Sequence, residues 1–201
     1  MKRLERSFFA RPTLQVARDL LGHRLVRLLD GQRLSGIIIE TEAYIGEHDS
    51  ACHAHRGRTR RNAVMYGPPG HAYVYFTYGC HWLLNCVTDR EGFPAAVLIR
   101  ALLPLEGIEL MQQRRRQPHQ LLTSGPGRLT QALAIDGTFN GHDLCAPEAQ
   151  LFIESNSCPL PRRVERRPRI GIGYASEPWR SRLWNFRLRR EGVPRNSVSG
   201  N

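Results

Sequence analysis

The sequence predicts an α+β fold: a single mixed domain built on a largely antiparallel β-sheet. The β-branched and aromatic runs that are typical of strands mostly follow one another without the helices that connect parallel strands. The 201 residues, 41% of them hydrophobic, can bury one core but are too few for two good-sized ones. The sequence contains no visible internal repeat. We therefore expect one domain over residues 1–201.

The first part of the chain is predicted to contain a helix, a strand and a long loop. Residues 12–21 have apolar side chains at helical spacing, with Pro12 suited to the first turn and Gly22 to the stop. Residues 34–44, LSGIIIETEAY, form a β-branched run that predicts a strand. Residues 45–71 are rich in glycine, histidine and arginine and have little apolar pattern, which predicts a long loop. Long loops in compact domains are usually functional.

The second part begins with a β-hairpin predicted over residues 72–87, where two apolar and aromatic runs flank Tyr78 and Gly79. Two helices are predicted at residues 105–115 and 125–135. Further strands are predicted at residues 95–101, 149–154, 169–174 and 183–188, with the arginine-rich segment 161–169 before the last two.

The chain is strongly basic, with 29 lysine and arginine residues, 18 acidic ones and a formal net charge of +11. Such a charge attracts polyanions, so nucleic acid is the expected partner. A non-catalytic DNA-binding module or a merely well-solvated basic surface would have the same charge. Lys2 is the only lysine. Covalent catalysis through a Schiff base needs a deprotonated amine in the pocket, so we do not expect it here.

Cysteine content and the N-terminal sequence bear on the compartment. Five cysteines without a C-x-x-C pair argue against a disulfide framework and a cysteine zinc site, and predict reduced thiols. They are Cys52, Cys80, Cys86, Cys145 and Cys158. Charged residues interrupt each short apolar run near the N-terminus, so neither a signal peptide nor a membrane span is expected. We expect a cytoplasmic protein, associated with the nucleoid in a bacterium and not with a membrane.

Two carboxylates and a phenol share one face of the strand predicted at residues 34–44. Side chains alternate along a strand, so Glu40, Glu42 and Tyr44 project to the same side. Arg100 lies inside an apolar strand and must be paired if it is buried. A solvated strand face and a structural salt bridge would account for these residues separately. One pocket in which Arg100 orients a carboxylate and a water would account for them together.

Polar and aromatic side chains also mark the predicted hairpin. Tyr73 and Tyr75 face one way along the first strand, as stacking platforms for a base or as ordinary packing. Asn85, in the apolar run LLNCV, is either a core amide or a group that contacts a ligand. Tyr78 precedes a glycine at the hairpin tip, a poor place for a core residue and a good one for a wedge between bases.

Three histidines in the long loop suggest an alternative function. His48, His53 and His55, with Asp49, are residue types that bind metals, although their spacing matches no metal motif. A metal site here would favour a metal-dependent nuclease or other hydrolase. Solvated or hydrogen-bonded histidines are the other interpretation.

Four separated blocks resemble one enzyme family. In order, they are ETEAYIGEHDSACHAHRG, RRNAVMYGPPGHAYVYFTYG, VLIRALLPLEG and SGPGRLTQALAI. They resemble the alkyladenine DNA glycosylases, the 3-methyladenine glycosylases of bacteria and mammals, and the match runs from about residue 10 to residue 198. The resemblance implies a curved antiparallel sheet with a protruding hairpin. It also implies a monofunctional enzyme that needs no metal or other cofactor and removes alkylated or deaminated purines from double-stranded DNA. A monomer is the default expectation.

The resemblance assigns catalytic roles to three residues. Glu42 corresponds to the general base of the attacking water, and Arg100 and the backbone carbonyl of Ile170 correspond to its other contacts. The sequence departs from the family pattern at Cys80 and His81, after the hairpin tip. The segment HRGRTRRN varies among relatives, so no role is assigned to its residues.

The resemblance also assigns the pocket. Tyr44 and Tyr75 correspond to the rings that stack on the flipped base, and His53 to a contact at the pocket wall. Asn85 corresponds to the amide that excludes the exocyclic amine of guanine, and Tyr78 to the side chain that fills the gap in the duplex. A methylated purine carries a positive charge, so stacking on two tyrosines is expected to gain a cation–π attraction of about 0.5 to 2 kcal/mol.

Overall fold

The computed structural model describes residues 2–155 and 163–188, and these form an antiparallel sheet of eight strands with short helices. The strands are β1 (Arg24–Leu29), β2 (Gln32–Ile45), β3 (Ala72–Thr77), β4 (His81–Val87), β5 (Ala95–Glu106), β6 (Leu151–Glu154), β7 (Val164–Arg167) and β8 (Asn185–Leu188). The helices are α1 (Arg6–Phe9), α2 (Thr13–Asp19), α3 (Ile108–Arg115) and α4 (Pro126–Ala132), with 3₁₀ turns at Ala63–Tyr66, His119–Leu121 and Gly137–Phe139. The predicted α+β class with a curved antiparallel sheet is confirmed.

The long strand β2 organises the sheet, whose order is β3-β4-β5-β2-β1-β6, with β8 between β2 and β7. One edge of β2 pairs with β5, and the other pairs first with β1 and then, from Glu40 to Glu42, with β8. The register with β5 shifts at Gly36 and on both sides of Glu40, and such bulges bend a strand. Gly36 is required by close packing, because a Cβ there would lie 2.9 Å from the Cβ of Leu102. The bend brings the end of β2 against β8.

The main hydrophobic core lies between the sheet and the helices α2 and α4. Its members without solvent exposure include Val16, Leu20, Leu34, Ile38, Leu84, Ile99 and Leu129. Burying each such side chain contributes about 1.5 to 3 kcal/mol. A hydrogen bond of 2.7 Å from Oγ1 of Thr41 to the carbonyl of Ala17 joins α2 to β2. Strand β2 is therefore held against α2 at Thr41, the residue before Glu42.

Most of the predicted elements are present with shifted ends. The helix expected at residues 12–21 and the strand expected at 34–44 correspond to α2 and β2, and the hairpin expected at 72–87 is β3–β4. The helices expected at 105–115 and 125–135 correspond to α3 and α4, which are both shorter. Helix α3 begins later than expected because β5 continues through Leu105 and Glu106. Residues 45–71 form the predicted long loop, with one 3₁₀ turn.

Two strand assignments need correction. The strand expected at residues 169–174 is wrong: this segment is an irregular loop, and the neighbouring strand is β7, which pairs with β8. The alternating Ile-Gly pattern resembled a strand, but Gly171 has a φ of +78°, which takes the backbone out of the extended region. The strand β1 was missed because its arginines interrupt the apolar alternation.

Four cysteines lie in the part of the chain that the structure describes. Cys52, Cys80, Cys86 and Cys145 are free, as predicted, and Cys158 lies outside the described residues. Within residues 2–155 and 163–188, none of the helices has the length and hydropathy to cross a membrane.

Candidate active site

The carboxylate of Glu42 is fully buried and accepts four hydrogen bonds. Its Oε1 accepts from the backbone N–H of Ile170 over 2.8 Å and from Nδ2 of Asn185 over 3.0 Å. Its Oε2 accepts from the hydroxyl of Tyr44 over 2.8 Å and from Nη1 of Arg100 over 3.3 Å. An ionised carboxylate offers about four acceptor positions, so all of them are in use. A water molecule can bind Glu42 in place of one of these donors.

Glu40 and Glu42 share both Arg100 and Asn185. The Nε of Arg100 lies 3.2 Å from Oε1 of Glu40, and Nδ2 of Asn185 lies 2.9 Å from the same oxygen. The side chains of Arg100 and Glu40 are each 13% exposed, so water screens the three charges weakly. One guanidinium thus serves two carboxylates, and Asn185 is the second donor that both contact. The interpretation of Glu42 and Arg100 as neighbours in one pocket agrees with this arrangement.

Ile170 lies on a loop that a buried ion pair anchors. Arg169 donates to both carboxylate oxygens of Asp49, over 2.5 and 2.8 Å, and neither side chain is exposed. The guanidinium of Arg169 also lies 4.7 Å from the centre of the Tyr44 ring. The anchored loop presents the N–H of Ile170 to Glu42. The contact expected between the carbonyl of Ile170 and the attacking water stays a prediction, and the structure adds a hydrogen bond from the amide of Ile170 to Glu42.

A small aromatic pocket lies beside Glu42, with a volume of about 30 Å³. It is lined by Tyr44, His53, Met65, Tyr73, Tyr75 and Asn85. The four pocket residues that the resemblance implies are therefore all in its wall. Asn85 is held by a hydrogen bond of 3.0 Å from its Nδ2 to the carbonyl of Tyr73. The volume suits one or two water molecules and is smaller than a purine.

The pocket is lined by neutral hydrogen-bonding groups. The Nδ1 of His53 lies 2.9 Å from the hydroxyl of Tyr73, and its ring meets Tyr75 edge-on at 4.5 Å. His53 is exposed at the pocket mouth, yet desolvation of its ring, and to a smaller extent Arg61, lowers its pKa to about 4. Burial raises the pKa of Tyr73 and of Tyr75. At pH 7 the imidazole is neutral and both phenols keep their protons.

Tyr78 occupies the tip of the β3–β4 hairpin and is 82% exposed. Its φ is +51°, and Gly79 follows with +67°. A bulky residue rarely adopts this left-handed conformation, which closes the turn at a cost in backbone strain. The tip lies close to the anchored loop, because a Cβ on Gly171 would lie 3.9 Å from the Tyr78 hydroxyl. Ile170 and Tyr174 are also exposed, so apolar side chains surround the pocket entrance.

The residues considered for a metal site do not converge. His53 contacts a tyrosine hydroxyl, Nδ1 of His55 lies 2.8 Å from a backbone carbonyl, and Asp49 binds Arg169. Among the residues that the structure describes, no three histidine, cysteine, aspartate or glutamate side chains are grouped as metal ligands would be. His53 and His55 thus have separate hydrogen-bonding contacts, and the described loop gives no geometric support to a metal-dependent hydrolase.

A larger cleft, of about 380 Å³, lies between the start of β4, next to the hairpin tip, and α4. Its wall includes Cys80, His81, Trp82 and Thr130, and none of the predicted site residues lines it. The larger of these two cavities is therefore not the one beside Glu42.

Three residues of the site are not identified by the sequence patterns: Asn185, Arg169 and Arg61. Asn185 carried the same signal as Asn85, an amide inside an apolar strand, and could have been found in the same way. Arg169 and Arg61 had no local signal that separates them from the other arginines of a basic chain, because their importance depends on contacts distant in sequence.

The fold and the site together are those of a DNA glycosylase, a hydrolase of N-glycosyl bonds: a basic surface, a protruding hairpin, and a buried carboxylate beside an aromatic pocket. Comparison with known proteins gives the family. A family model described as methylpurine-DNA glycosylase matches residues 7–192. The chain therefore belongs to the methylpurine-DNA glycosylase family, and DNA is its substrate.

Relatives match over most of their length. A protein of Methanocella arvoryzae is 51% identical over 183 residues, which cover 88% of this chain and 90% of the relative. One of Chlorobaculum parvum is 48% identical, covering 90% and 87%, and one of Myxococcus xanthus is 49% identical, covering 92% and 90%. Each of the three bears the name "Putative 3-methyladenine DNA glycosylase".

Proposed function

We propose that this DNA glycosylase flips an alkylated or deaminated purine out of double-stranded DNA and hydrolyses its bond to the sugar with a water activated by Glu42. The observation that carries the proposal is the buried Glu42 carboxylate, which Arg100, Asn185 and the Ile170 amide hold next to Tyr44 in the wall of the aromatic pocket. The other two buried carboxylates among the described residues, Asp49 and Glu154, are paired with Arg169 and Arg33, and neither lines the aromatic pocket.

Base flipping follows from the pocket and the hairpin. The basic surface binds the phosphates, and Tyr78 enters the base stack where a weakly paired nucleotide leaves it. The flipped base separates Tyr44 from Tyr75 and stacks between them, because the resting pocket has no room for it. Asn85 and His53 then contact its edges, which provides selection by hydrogen bonding as well as by shape.

Water activation requires a change at Glu42. In the resting site the Tyr44 hydroxyl occupies one acceptor position of the carboxylate. Stacking of the base on the Tyr44 ring shifts that hydroxyl, and the water takes its place. Glu42 accepts a proton from the water as the oxygen attacks C1′ of the sugar, the C1′–N bond breaks, and the base leaves with the bonding electrons. General-base catalysis of this kind contributes about 10²- to 10⁴-fold.

The substrates proposed are 3-methyladenine and 7-methylguanine, with hypoxanthine and ethenoadenine as neutral alternatives. The names of the relatives support 3-methyladenine. A methylated purine leaves readily because it is already positively charged while attached to the sugar. A neutral base needs a proton as it leaves, and the neutral donors of the pocket are suited to hydrogen-bond such a base.

The test is release of free base from a modified duplex in the presence of a chelator. The wild-type protein should release base, and Glu42→Gln should bind the same duplex but release at least 100-fold less, because an amide cannot accept the proton of the water. Full activity of Glu42→Gln contradicts the assignment of the base. Loss of wild-type activity with chelator supports a metal-dependent hydrolase, and damage-independent binding without release supports a binding module.

A further inference from the structure

Arg61 lies at the mouth of the aromatic pocket, on the loop that precedes β3. Its Nη2 donates to the carbonyl of Phe76 over 3.0 Å, and its guanidinium carbon is 5.6 Å from the centre of the Tyr75 ring. The neighbouring Asn62 is buried and its Nδ2 donates to the carbonyls of His53 and Gly57, both over 2.9 Å. The loop is thereby tied so that Arg61 stays beside the pocket, although its own side chain is exposed.

Arg61 adds a positive charge near the two carboxylates beside the pocket. The catalytic network contains the carboxylates of Glu40 and Glu42 but one guanidinium, that of Arg100. The other nearby guanidinium, Arg169, is neutralised by its buried carboxylate partner. No ion pair involving Arg61 occurs within residues 2–155 and 163–188. Arg61 therefore adds a positive charge beside a network in which two carboxylates share one guanidinium.

The positive charge of Arg61 acts on the groups that would contact a base. It contributes to the lowered pKa of His53 and opposes the burial that raises the pKa of Tyr73 and of Tyr75. The guanidinium of Arg61 also makes a cation–π contact with the Tyr75 ring, so this ring is already in contact with one cation. A second cation stacked on Tyr75 would be repelled by the first, more strongly in the partly dehydrated pocket than in bulk water.

We propose that Arg61 is a specificity-determining residue that reduces the preference of the pocket for positively charged bases relative to neutral ones. The inference rests on the proposed function. The sequence predicts that two stacking tyrosines favour a methylated, cationic purine, and the charge of Arg61 opposes that preference. In this chain the charge preference is offset, and selection depends more on shape and hydrogen bonding. Neutral lesions such as hypoxanthine or ethenoadenine are then handled better than the ring pair alone would allow.

The test compares two lesions in otherwise identical duplexes: 7-methylguanine, cationic within DNA, and hypoxanthine, which is neutral. Single-turnover rates of base release are measured for wild type, Arg61→Gln and Arg61→Glu, with Arg60→Gln as the control, since Arg60 is exposed and adjacent. The ratio of the 7-methylguanine rate to the hypoxanthine rate should rise about threefold to tenfold in Arg61→Gln and further in Arg61→Glu. It should stay within twofold in Arg60→Gln. The increase should shrink at high salt.

A second measurement is the titration of His53 by NMR. Its pKa should rise in Arg61→Gln and stay unchanged in Arg60→Gln. An unchanged ratio in both Arg61 variants, with both bases still released, overturns the inference and leaves the proposed function standing. An equal fall of both rates with weaker duplex binding also overturns it, because Arg61 would then be a phosphate contact. If wild type releases neither base, the proposed function fails and this inference fails with it.

Discussion

The side-chain amide of Asn185 donates to Oε1 of Glu42 over 3.0 Å and to Oε1 of Glu40 over 2.9 Å. Asn185 is 1% exposed and faces Glu42 across the β2–β8 ladder. One NH₂ group therefore bridges two carboxylates, the arrangement expected of a residue that fixes the direction of a catalytic base. It makes Asn185 a positioning residue in the proposed mechanism.

We expect Asn185→Ala to reduce the single-turnover rate of base release about 10- to 100-fold, as is usual when a supporting contact of a reacting group is removed. Asn185→Asp should reduce it further, because it places a third carboxylate beside the first two. Binding of damaged duplex should change little in Asn185→Ala. Arg187→Gln, an exposed residue on the same strand, is the control. Equal losses in binding and in rate would show that the amide only stabilises the fold.

Substitution of Tyr78 should raise the stability of the protein and lower its activity on duplex DNA. The residue is held at a φ of +51°, where asparagine is tolerated and tyrosine is strained. Tyr78→Asn should therefore raise the free energy of unfolding by about 1 kcal/mol, measured by urea denaturation. The same variant should lose base release from duplex but keep it from a single strand, which needs no wedge. A variant that is more stable and equally active on duplex would exclude the wedge.

The sequence predicted the parts of this protein that depend on local pattern. The strand β2 is β-branched and the hairpin β3–β4 has a glycine tip, and both elements are present as expected. Alternation along β2 also put Glu42 and Tyr44 on one face, and the structure joins them by a hydrogen bond. Patterns of this kind are set by the two-residue repeat of a strand, so they can be identified without knowledge of the tertiary fold.

Contacts between distant segments could not be predicted in this way. The Ile-Gly alternation after Arg169 was interpreted as a strand, because no local feature shows that its arginine is buried against Asp49, 120 residues earlier. The choice of Glu42 over Glu40 came from the family resemblance. In the structure the two differ because Glu42 is fully buried and accepts the Ile170 amide in addition to shared donors.

The low pKa of His53 predicts a pH dependence of stability. Its folded-state pKa is about 4, and an unperturbed histidine titrates near 6.5. Between these values the unfolded chain binds the proton and the folded protein does not, so stability falls as the pH is lowered from about 6.5 to about 4. His53→Gln should flatten this part of the curve relative to wild type. Urea denaturation at several pH values measures it, and His48→Gln, in the same loop, is the control. Parallel curves for wild type and His53→Gln would contradict the assignment.

Asp49→Asn should destabilise the protein more than any surface charge change. The variant leaves the Arg169 guanidinium buried without its countercharge, and breaking one side of a buried ion pair costs about 3 to 5 kcal/mol. Glu177→Gln breaks the exposed pair with Arg180, which water screens, and should change stability little. Because Arg169 precedes Ile170 and lies over the Tyr44 ring, residual folded Asp49→Asn should also release base more slowly per folded molecule. Urea denaturation measures the loss of stability, and single-turnover assays below the unfolding midpoint measure the rate of base release. A stability loss without a change in rate would mean that the ion pair anchors the loop without directing the Ile170 amide toward Glu42.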